Sequence, residues 1–300
     1  MAIVRRVYVS MPSDHGLTAD ENAIKWGIVD RLEQAGYEPQ VFDTPRGSLG
    51  FARGRGWTLE NVDHVMRHCV GAAVIGLPKW EVPTADGPLL LPTEYTGYEG
   101  AVAWTYGLPI FAVVDRRIAG RVLFNPGLGL ELTFVTPGQD RTWLDSDAFR
   151  GPFDNFTQKL AERRDVFLGY CSHAKDTAKQ LKRLLRELDV SVLDWMKFKP
   201  AGSIMENIVQ SARQCSAGIF LFTKDDPLKA KGAGAMPRDN VVFEAGYFAA
   251  AKGKDRVLII REKGSKMPAD LGGDIYGSLE DRSDIGPVRE TLRRFVRDRL

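Results

Sequence analysis

The chain has 300 residues, of which 44% are apolar and 27% are charged, and its formal net charge at pH 7 is +2. This length and composition are typical of a globular protein of about two domains, and the nearly balanced charge argues against a general nucleic-acid-binding surface. The three cysteines, Cys69, Cys171 and Cys215, form no C-x-x-C pair, so neither a disulfide framework nor a structural zinc site is predicted.

The first half of the chain alternates short apolar strands with amphipathic helices. Its spacing predicts, in chain order, strand 4–10, helix 19–34, strand 37–42, helix 59–69, strand 72–77, helix 97–106 and strand 109–114. The segment 118–162 contains several prolines, glycines and aromatic residues and breaks this pattern. We expect it to complete the first domain and then to connect it to the second.

The second half repeats the same order of elements. Its spacing predicts strand 165–169, helix 175–187, strand 190–193, helix 203–215, strand 217–223, helix 240–251, strand 256–260 and a last helix with the basic, solvent-exposed face 289–299. Strands that alternate with helices predict a parallel sheet with right-handed crossovers. The predicted fold class is therefore α/β, with two flavodoxin-like doubly wound parallel-sheet domains in tandem, at 1–150 and 164–300.

Each half carries one glutamate on the helix after its third strand, at nearly the same spacing from that strand. In the first half, Thr96 and Glu99 fit an S/T-x-x-E capping box, which favours a structural role for Glu99. In the second half, Glu244 has Val241 at the capping position, so this explanation fails for it. Apolar residues on its helix face predict partial burial and a raised pKa, and the alternative is a solvated helix glutamate.

Three loops of the second half are expected at the carboxyl edge of the sheet, where ligands bind in open parallel sheets. These are residues 170–176, 194–203 and 224–239. The predicted ligand-binding residues are Tyr170, Ser172, His173, Trp195, Gly202, Ser203, Arg238, Asn240 and Tyr247, with Lys197, Lys199 and Arg238 as candidates for a pyrophosphate. Surface exposure for His173 and a core position for Trp195 are the alternatives. Cys171 is either a nucleophile or, as we favour, a packing residue.

A single carboxylate at this edge suits chemistry at a ribose carbon. Cleavage of an N-glycosidic bond builds positive charge on the sugar, and one carboxylate can stabilise that charge. A leaving group as good as nicotinamide needs no separate general acid. Glu244 is therefore the predicted catalytic residue, and no metal site is predicted.

The second half resembles the TIR (Toll/interleukin-1 receptor) superfamily, and within it the bacterial TIR-like group described as predicted nucleotide-binding proteins. Residues 166–173 (VFLGYCSH) are similar to the first TIR box, and 195–204 (WMKFKPAGSI) to the second-box loop. Residues 238–248 (RDNVVFEAGYF) are the most specific match. The resemblance implies that Glu244 cleaves NAD, as substrate rather than cofactor, or a related nucleotide at the nicotinamide–ribosyl bond. It also implies activity upon homo-oligomeric assembly and a role as an effector in anti-phage defence.

The first half resembles, less closely, a nucleoside deoxyribosyltransferase or a divergent TIR-like domain. The stretches 7–10 (VYVS), 73–76 (AVIG) and 98–111 carry this likeness. It implies a sensor or assembly domain, with a nucleotide second messenger as a candidate partner. The Gly-rich basic segment 46–56 is either a loop over a phosphate or a surface loop.

Two rival hypotheses stay open. In one, the protein is a non-catalytic nucleotide-binding signalling module. In the other, the first domain is the enzyme and acts on nucleosides through Glu99. The beginning of the chain lacks the apolar core of a signal peptide, and no segment approaches the roughly 20 apolar residues of a membrane span. We therefore expect a cytoplasmic protein with neither a membrane nor a nucleic acid as a direct partner.

Overall fold

A computed structural model of the protein describes residues 3–42, 56–118, 120, 122–195, 203–227, 234–267 and 276–300. The chain divides into two compact units, Val4–Glu162 and Arg163–Leu300, and Ile3 is grouped with the second. Within these described ranges, no helix has both the length and the apolar character that crossing a membrane requires.

The first unit is a five-stranded parallel sheet between two layers of helices. Its elements are β1 (Arg6–Ser10), α1 (Ala19–Gln34), β2 (Glu38–Val41), α2 (Leu59–Arg67), β3 (Cys69–Gly76), β4 (Trp80–Val82), β5 (Leu89–Leu91), α3 (Glu94–Thr105), β6 (Ile110–Asp115), β7 (Leu132–Val135) and α4 (Asp147–Glu162). The strand order is β2-β1-β3-β6-β7, and β4 and β5 form a small antiparallel pair. Helices α1 and α4 contribute to the apolar cluster on one face, and α2 and α3 to the cluster on the other.

The second unit has the same architecture. Its elements are β8 (Arg164–Gly169), α5 (Lys175–Glu187), β9 (Val192–Asp194), α6 (Ile204–Gln214), β10 (Cys215–Phe222), β11 (Asp226–Pro227), β12 (Ala235–Met236), α7 (Asp239–Lys252), β13 (Val257–Glu262), β14 (Tyr276–Leu279) and α8 (Arg289–Arg299). The strand order is β14-β13-β10-β8-β9, all parallel. Strand β10 is buried on both faces, which explains its continuous apolar sequence.

Both sheets reverse their winding direction beside their first strand. The second strand lies on one side of the first strand and the third strand lies on the other, in each unit. In doubly wound folds a crevice opens at the carboxyl ends of the strands where this reversal occurs. The prediction of two flavodoxin-like α/β domains in tandem is confirmed, and each has such a switch point: β1/β3 in the first unit and β8/β10 in the second.

The segment that broke the sequence pattern contains a helix of the first unit. Helix α4 buries Phe149, Phe153 and Phe156, whose rings lie 5.6–5.7 Å from that of Phe111 in β6. The predicted first domain ended at residue 150, inside this helix. The aromatic residues recur at helical spacing, so the sequence does contain the apolar stripe of a buried helix face. The glycine and the proline within the segment kept it from being interpreted as a helix.

Candidate active site

Glu244 lies in the second turn of α7, directly against the end of β8. A Cβ atom placed on Gly169, the last residue of β8, would lie 2.8 Å from Glu244 Oε2 and 2.5 Å from Cδ1 of Phe220 in β10. Only the absence of a side chain at Gly169 allows this close approach. The carboxyl group therefore sits at the β8/β10 switch point, the place where this fold binds ligands.

The environment of this carboxyl is apolar. Glu244 is partly buried, and its Oε2 is fully buried and has no hydrogen-bond partner among the described residues. Burial raises the pKa of Glu244 to about 7, because the charged form loses its hydration. An unpaired carboxyl with a pKa near neutrality at a ligand-binding edge is characteristic of functional rather than structural acids. The alternative of a solvated helix glutamate is not what the geometry shows.

The contact at Gly169 provides a stability prediction. We expect Gly169→Ala to destabilise the second unit by about 1–3 kcal/mol, because the new methyl group overlaps both Glu244 and Phe220. Gly246→Ala is the matched control in α7, where an added Cβ meets nothing within 4 Å and should be neutral or slightly stabilising. Urea unfolding, monitored by hydrogen exchange of the β8 and α7 amides, measures the free energy of unfolding of both variants. Equal stability of the two variants would contradict this placement of the carboxyl.

Tyr170 and Trp195 are turned toward the core of the second unit. Tyr170 is 3% exposed and its hydroxyl donates a hydrogen bond to Asp194 Oδ1 at 2.8 Å. Lys182 pairs with the other oxygen of Asp194. The Trp195 ring meets Tyr170 edge-on at 5.8 Å and packs against the core. The structure thus favours the core alternative for Trp195. The Tyr170 hydroxyl is engaged by Asp194 inside the unit, so this hydrogen bond does not reach a ligand.

Ser172 and His173 form an exposed turn beside this edge, while Cys171 is buried. The Cys171 thiol donates to Asp225 Oδ1 at 2.8 Å. Burial and the Asp225 carboxylate raise the pKa of Cys171, so the thiol stays protonated and is a poor nucleophile. The packing alternative for Cys171 is therefore favoured.

Cys171, His173 and Asp225 also form a group of metal-type ligands among the described residues. Their ligand atoms all lie within 4.8 Å of one another. Asp225 already accepts from the Thr223 hydroxyl at 2.8 Å and lies 3.8 Å from the Arg282 guanidinium. A protonated thiol and a carboxylate beside a fixed cation make this trio a weak cation site.

Three of the other predicted binding residues, Ser203, Arg238 and Asn240, lie at the starts of α6 and α7. Ser203 caps α6 in a capping box: its hydroxyl accepts from the Glu206 amide, and Glu206 accepts from the Ser203 amide. Arg238 is the first residue before α7, with its guanidinium 3.6 Å from Asp226 and 44% exposed. Asn240 is exposed one helical turn before Glu244, and Tyr247 is partly buried against the core.

Several predicted positions lie outside the described residues. These are Gly202, Lys197 and Lys199, and the loop 46–56 up to residue 55. The structure brings Ser203, Arg238 and Asn240 to the helix starts at the carboxyl edge. It leaves their role toward a ligand as a prediction.

In the first unit, the capping-box interpretation of Glu99 is wrong. Helix α3 begins at Glu94, because the hydroxyl of Thr93 accepts from the Thr96 amide at 3.3 Å and caps the helix. Two threonines stand three residues apart, and the earlier one is the cap. Glu99 therefore lies in the second turn of its helix, as Glu244 does in α7.

Glu99 lies at the floor of a cavity of about 420 Å³. It is 4% exposed, and Trp57 Nε1 donates a hydrogen bond to its Oε1 at 2.7 Å. Burial raises the pKa of Glu99, although the Ser10, Trp57 and Tyr8 side chains act in the opposite direction. The hypothesis that Glu99 acts on nucleosides therefore keeps a physical basis.

The walls of this cavity were missed by sequence reasoning. Its aromatic lining comes from segments far apart in the sequence: Trp26, Phe42, Trp57, Trp80 and Tyr95. Four of these five residues lie in loops or at the ends of helices and strands. A large aromatic side chain at such a position is the one feature of the sequence that could have indicated this cavity.

The family model that matches this chain covers most of the second unit. Residues 165–281 match the family model described as "CAP12/Pycsar effector protein, TIR domain". CD-NTase-associated protein 12 from Sphingobacterium faecium is 32% identical over 113 residues, which are 37% of this chain and 35% of that protein. A protein of the same name from a Lachnospiraceae bacterium is 34% identical over 110 residues, 36% of this chain and 35% of that protein.

A third relative matches over a longer stretch. The Pycsar effector protein BcPycTIR from Burkholderia cepacia is 27% identical over 154 residues, which are 48% of this chain and 51% of that protein. The matches thus span between 35% and 51% of the length of these curated relatives.

Proposed function

Because the C-terminal half belongs to the bacterial TIR-like family, we propose that this protein is an anti-phage effector that hydrolyses NAD⁺ between nicotinamide and ribose. One observation carries the proposal: at the β8/β10 switch point, inside the most specific family motif, Glu244 Oε2 is buried without a hydrogen-bond partner in the part of the chain that the structure describes. The names of the relatives support an effector role. The NAD⁺ substrate and the hydrolysis are our inference from the resemblance to TIR domains, and the chemistry of this site is consistent with them.

The reaction needs one well-placed carboxylate. The bond between C1′ of the ribose and the nicotinamide nitrogen breaks, and its electron pair leaves with the nitrogen, which turns the pyridinium into neutral nicotinamide. The sugar gains positive charge, which the Glu244 carboxylate stabilises in an apolar setting where the attraction is strong. A water oxygen then bonds to C1′, and its proton passes to Glu244 or to solvent. The products are ADP-ribose, nicotinamide and a proton.

The starts of α6 and α7 suit the pyrophosphate of the substrate. The positive dipole ends of two helices favour an anion, and Arg238 adds a half-exposed guanidinium. In this proposal Ser203, Arg238 and Asn240 orient the dinucleotide. The exposed turn at His173 borders one side of the substrate site.

Assembly and a nucleotide signal complete the proposal. Ile204 and Met205 at the start of α6 are 68% and 45% exposed, and Phe243 beside Glu244 is 52% exposed. Large exposed apolar side chains beside a site support its burial by a second copy. We propose that a nucleotide signal promotes this homo-oligomer and thereby switches on cleavage.

The pH dependence of cleavage tests the role of Glu244. Because the carboxylate is the active form and its pKa is about 7, kcat/KM should rise about tenfold per pH unit below 7 and level off above it. Nicotinamide release from NAD⁺ by the purified protein, assayed at several protein concentrations, measures this profile. A rate that falls as pH rises through 7 would contradict the assignment. Binding of NAD⁺ without product, even in concentrated protein, would favour a non-catalytic nucleotide-binding module.

A further inference from the structure

We propose that Cys171, His173 and Asp225 form a binding site for Zn²⁺ in the second unit, where the metal joins the turn after β8 to the loop after β10. The ligand atoms of the three side chains all lie within 4.8 Å of one another. All three residues belong to Arg163–Leu300. The site is a property of this unit by itself, and it does not depend on the reaction proposed for Glu244.

The three side chains are of the kinds that zinc prefers. Proteins hold Zn²⁺ with thiolate, imidazole and carboxylate groups, at about 2.3 Å for sulfur and about 2.0–2.2 Å for nitrogen and oxygen. Around a tetrahedral ion with these bond lengths, neighbouring ligand atoms lie about 3.5 Å apart. The observed separations therefore require only a small movement, which the exposed side chain of His173 can make.

The proton of Cys171 marks the position that the ion would take. The thiol donates this proton to Asp225 Oδ1, and the sulfur and the oxygen are 2.8 Å apart. When zinc binds, the S–H bond breaks, a sulfur–zinc bond forms and the proton passes to solvent. Asp225 Oδ1 binds the same ion, so two negative ligands share one divalent cation. No electron is gained or lost in this exchange.

Backbone hydrogen bonds support both buried ligands. Burial and the Asp225 carboxylate raise the pKa of Cys171, whereas the backbone amide of His173 donates to the sulfur and acts in the opposite direction. The Arg238 amide donates to the second oxygen, Asp225 Oδ2, at 3.2 Å. Contacts of this kind orient the ligands of a metal. Because His173 is exposed while the other two side chains are buried, the ion has a route from solvent.

The nearby charges restrict the site to a cation that binds sulfur. Arg282 lies 3.8 Å from Asp225, but it pairs more closely with Glu262, at 2.8 Å. Its remaining positive charge and the thiol proton disfavour Mg²⁺ and Ca²⁺, which take oxygen ligands and gain little from sulfur. Zn²⁺ gains a thiolate ligand when it displaces the proton, so it is the cation that this group selects.

No local motif indicates this site, because its ligands come from two distant segments. Asp225 lies 54 positions after Cys171 in the sequence. The lack of a C-x-x-C pair argues against a site built on a single turn, and that is why no metal site was predicted. It does not bear on a site that folding assembles from two strand ends. With three protein ligands, water takes the fourth position, as in open zinc sites.

Substitution by Co²⁺ tests the site on the full chain by absorption spectroscopy. Co²⁺ binds the same donors as Zn²⁺ but more weakly, and a thiolate ligand gives it a sulfur-to-metal charge-transfer band. We expect the reduced, metal-free protein to develop this band when Co²⁺ is added. Zn²⁺ should then remove the band, whereas a large excess of Mg²⁺ or Ca²⁺ should leave it unchanged.

Matched variants identify the ligands. Cys171→Ser should abolish the band, whereas Cys215→Ser, which changes a buried cysteine of β10 outside the group, should retain it. His173→Ala should weaken Zn²⁺ binding, measured by competition with Co²⁺, by at least about tenfold. Its control is His64→Ala, which should bind Zn²⁺ at this site as the wild type does. His64 stacks on His68 in the first unit with ring centroids 4.7 Å apart, so this pair is the alternative histidine site for a divalent ion.

The carboxylate has a variant of its own. Asp225→Asn keeps the shape of the side chain and removes its charge, and it should also weaken Zn²⁺ binding by at least about tenfold. Circular dichroism shows whether each variant folds. Because His173 is exposed, the variant at this position tests the site even if a change at Cys171 or Asp225 prevents folding.

The proposal is overturned if Co²⁺ gives no thiolate band, if the band survives in Cys171→Ser, or if His173→Ala and His64→Ala bind Zn²⁺ alike. Displacement of Co²⁺ by Mg²⁺ or Ca²⁺ would overturn the choice of zinc. The titrations contain no NAD⁺ and record metal binding rather than cleavage. Their failure is therefore separate from any failure of the function proposed for Glu244.

Discussion

Replacing Glu244 by glutamine should lower kcat for nicotinamide release by about 10²–10³-fold and leave KM nearly unchanged. Glutamine has the same shape as glutamate and still fits between Gly169 and Phe220. It carries no charge at any pH, so it loses only the interaction that grows as the ribose becomes cationic. Initial rates of nicotinamide release at pH 8, where the wild-type carboxylate is ionised, measure the effect at its largest.

The control for this experiment is Glu290→Gln, which removes a carboxylate from the exposed surface of α8. Its rate should equal that of the wild type within about twofold, as surface substitutions usually behave. A Glu244→Gln variant as active as Glu290→Gln would refute the catalytic assignment. A variant with raised KM and unchanged kcat would make Glu244 a binding residue instead.

The same substitution should stabilise the second unit in alkaline solution. The folded-state pKa of Glu244 is about 7 and its ordinary value is 4.5. Below pH 4.5 the carboxyl is protonated in both the folded and the unfolded state, so it costs nothing. Between these values the folded state binds more protons than the unfolded state, so stability falls as pH rises. Above pH 7 the full penalty is present, about 3 kcal/mol for a shift of this size.

Glutamine avoids this penalty because it does not ionise. We therefore expect Glu244→Gln to raise the free energy of unfolding of the second unit by up to about 3 kcal/mol at pH 8 and by little at pH 4. Urea unfolding at the two pH values, monitored by hydrogen exchange of the α7 and β8 amides, measures the stability of this unit separately from that of the first. A gain of equal size at both pH values would show that the effect is not ionisation of this carboxyl.

Together the two results separate a functional acid from a structural one. A variant that is more stable and less active identifies a group that the fold holds at a cost for the sake of chemistry. A structural glutamate, paired or solvated, would lose stability or change nothing when its charge is removed. The apolar surroundings of Glu244, rather than its position in the sequence, produce this contrast.

The fold class and the choice of Glu244 were determined by the sequence alone. Alternation of apolar strands with amphipathic helices is a local pattern, so four strands of each sheet and their duplicated order could be predicted, whereas the edge strands β7 and β14 were not. Helices α1 and α5 were predicted with the bounds that the structure shows. Glu244 could be singled out because the motif that surrounds it is contiguous. Helix α4 was not predicted, because Gly151 and Pro152 obscured its aromatic stripe.

Burial, pairing and enclosure were decided only by the tertiary structure. The sequence showed two acids in similar positions, yet Glu99 receives an indole hydrogen bond from Trp57 while Glu244 receives none from the described residues. The inward orientation of Tyr170 depends on Asp194, and the cavity in the first unit draws its walls from six separate segments of the chain. The physical reason is that desolvation and hydrogen bonding depend on which residues meet in space. That set is assembled by the packing of helices onto the sheet, and no local pattern records it.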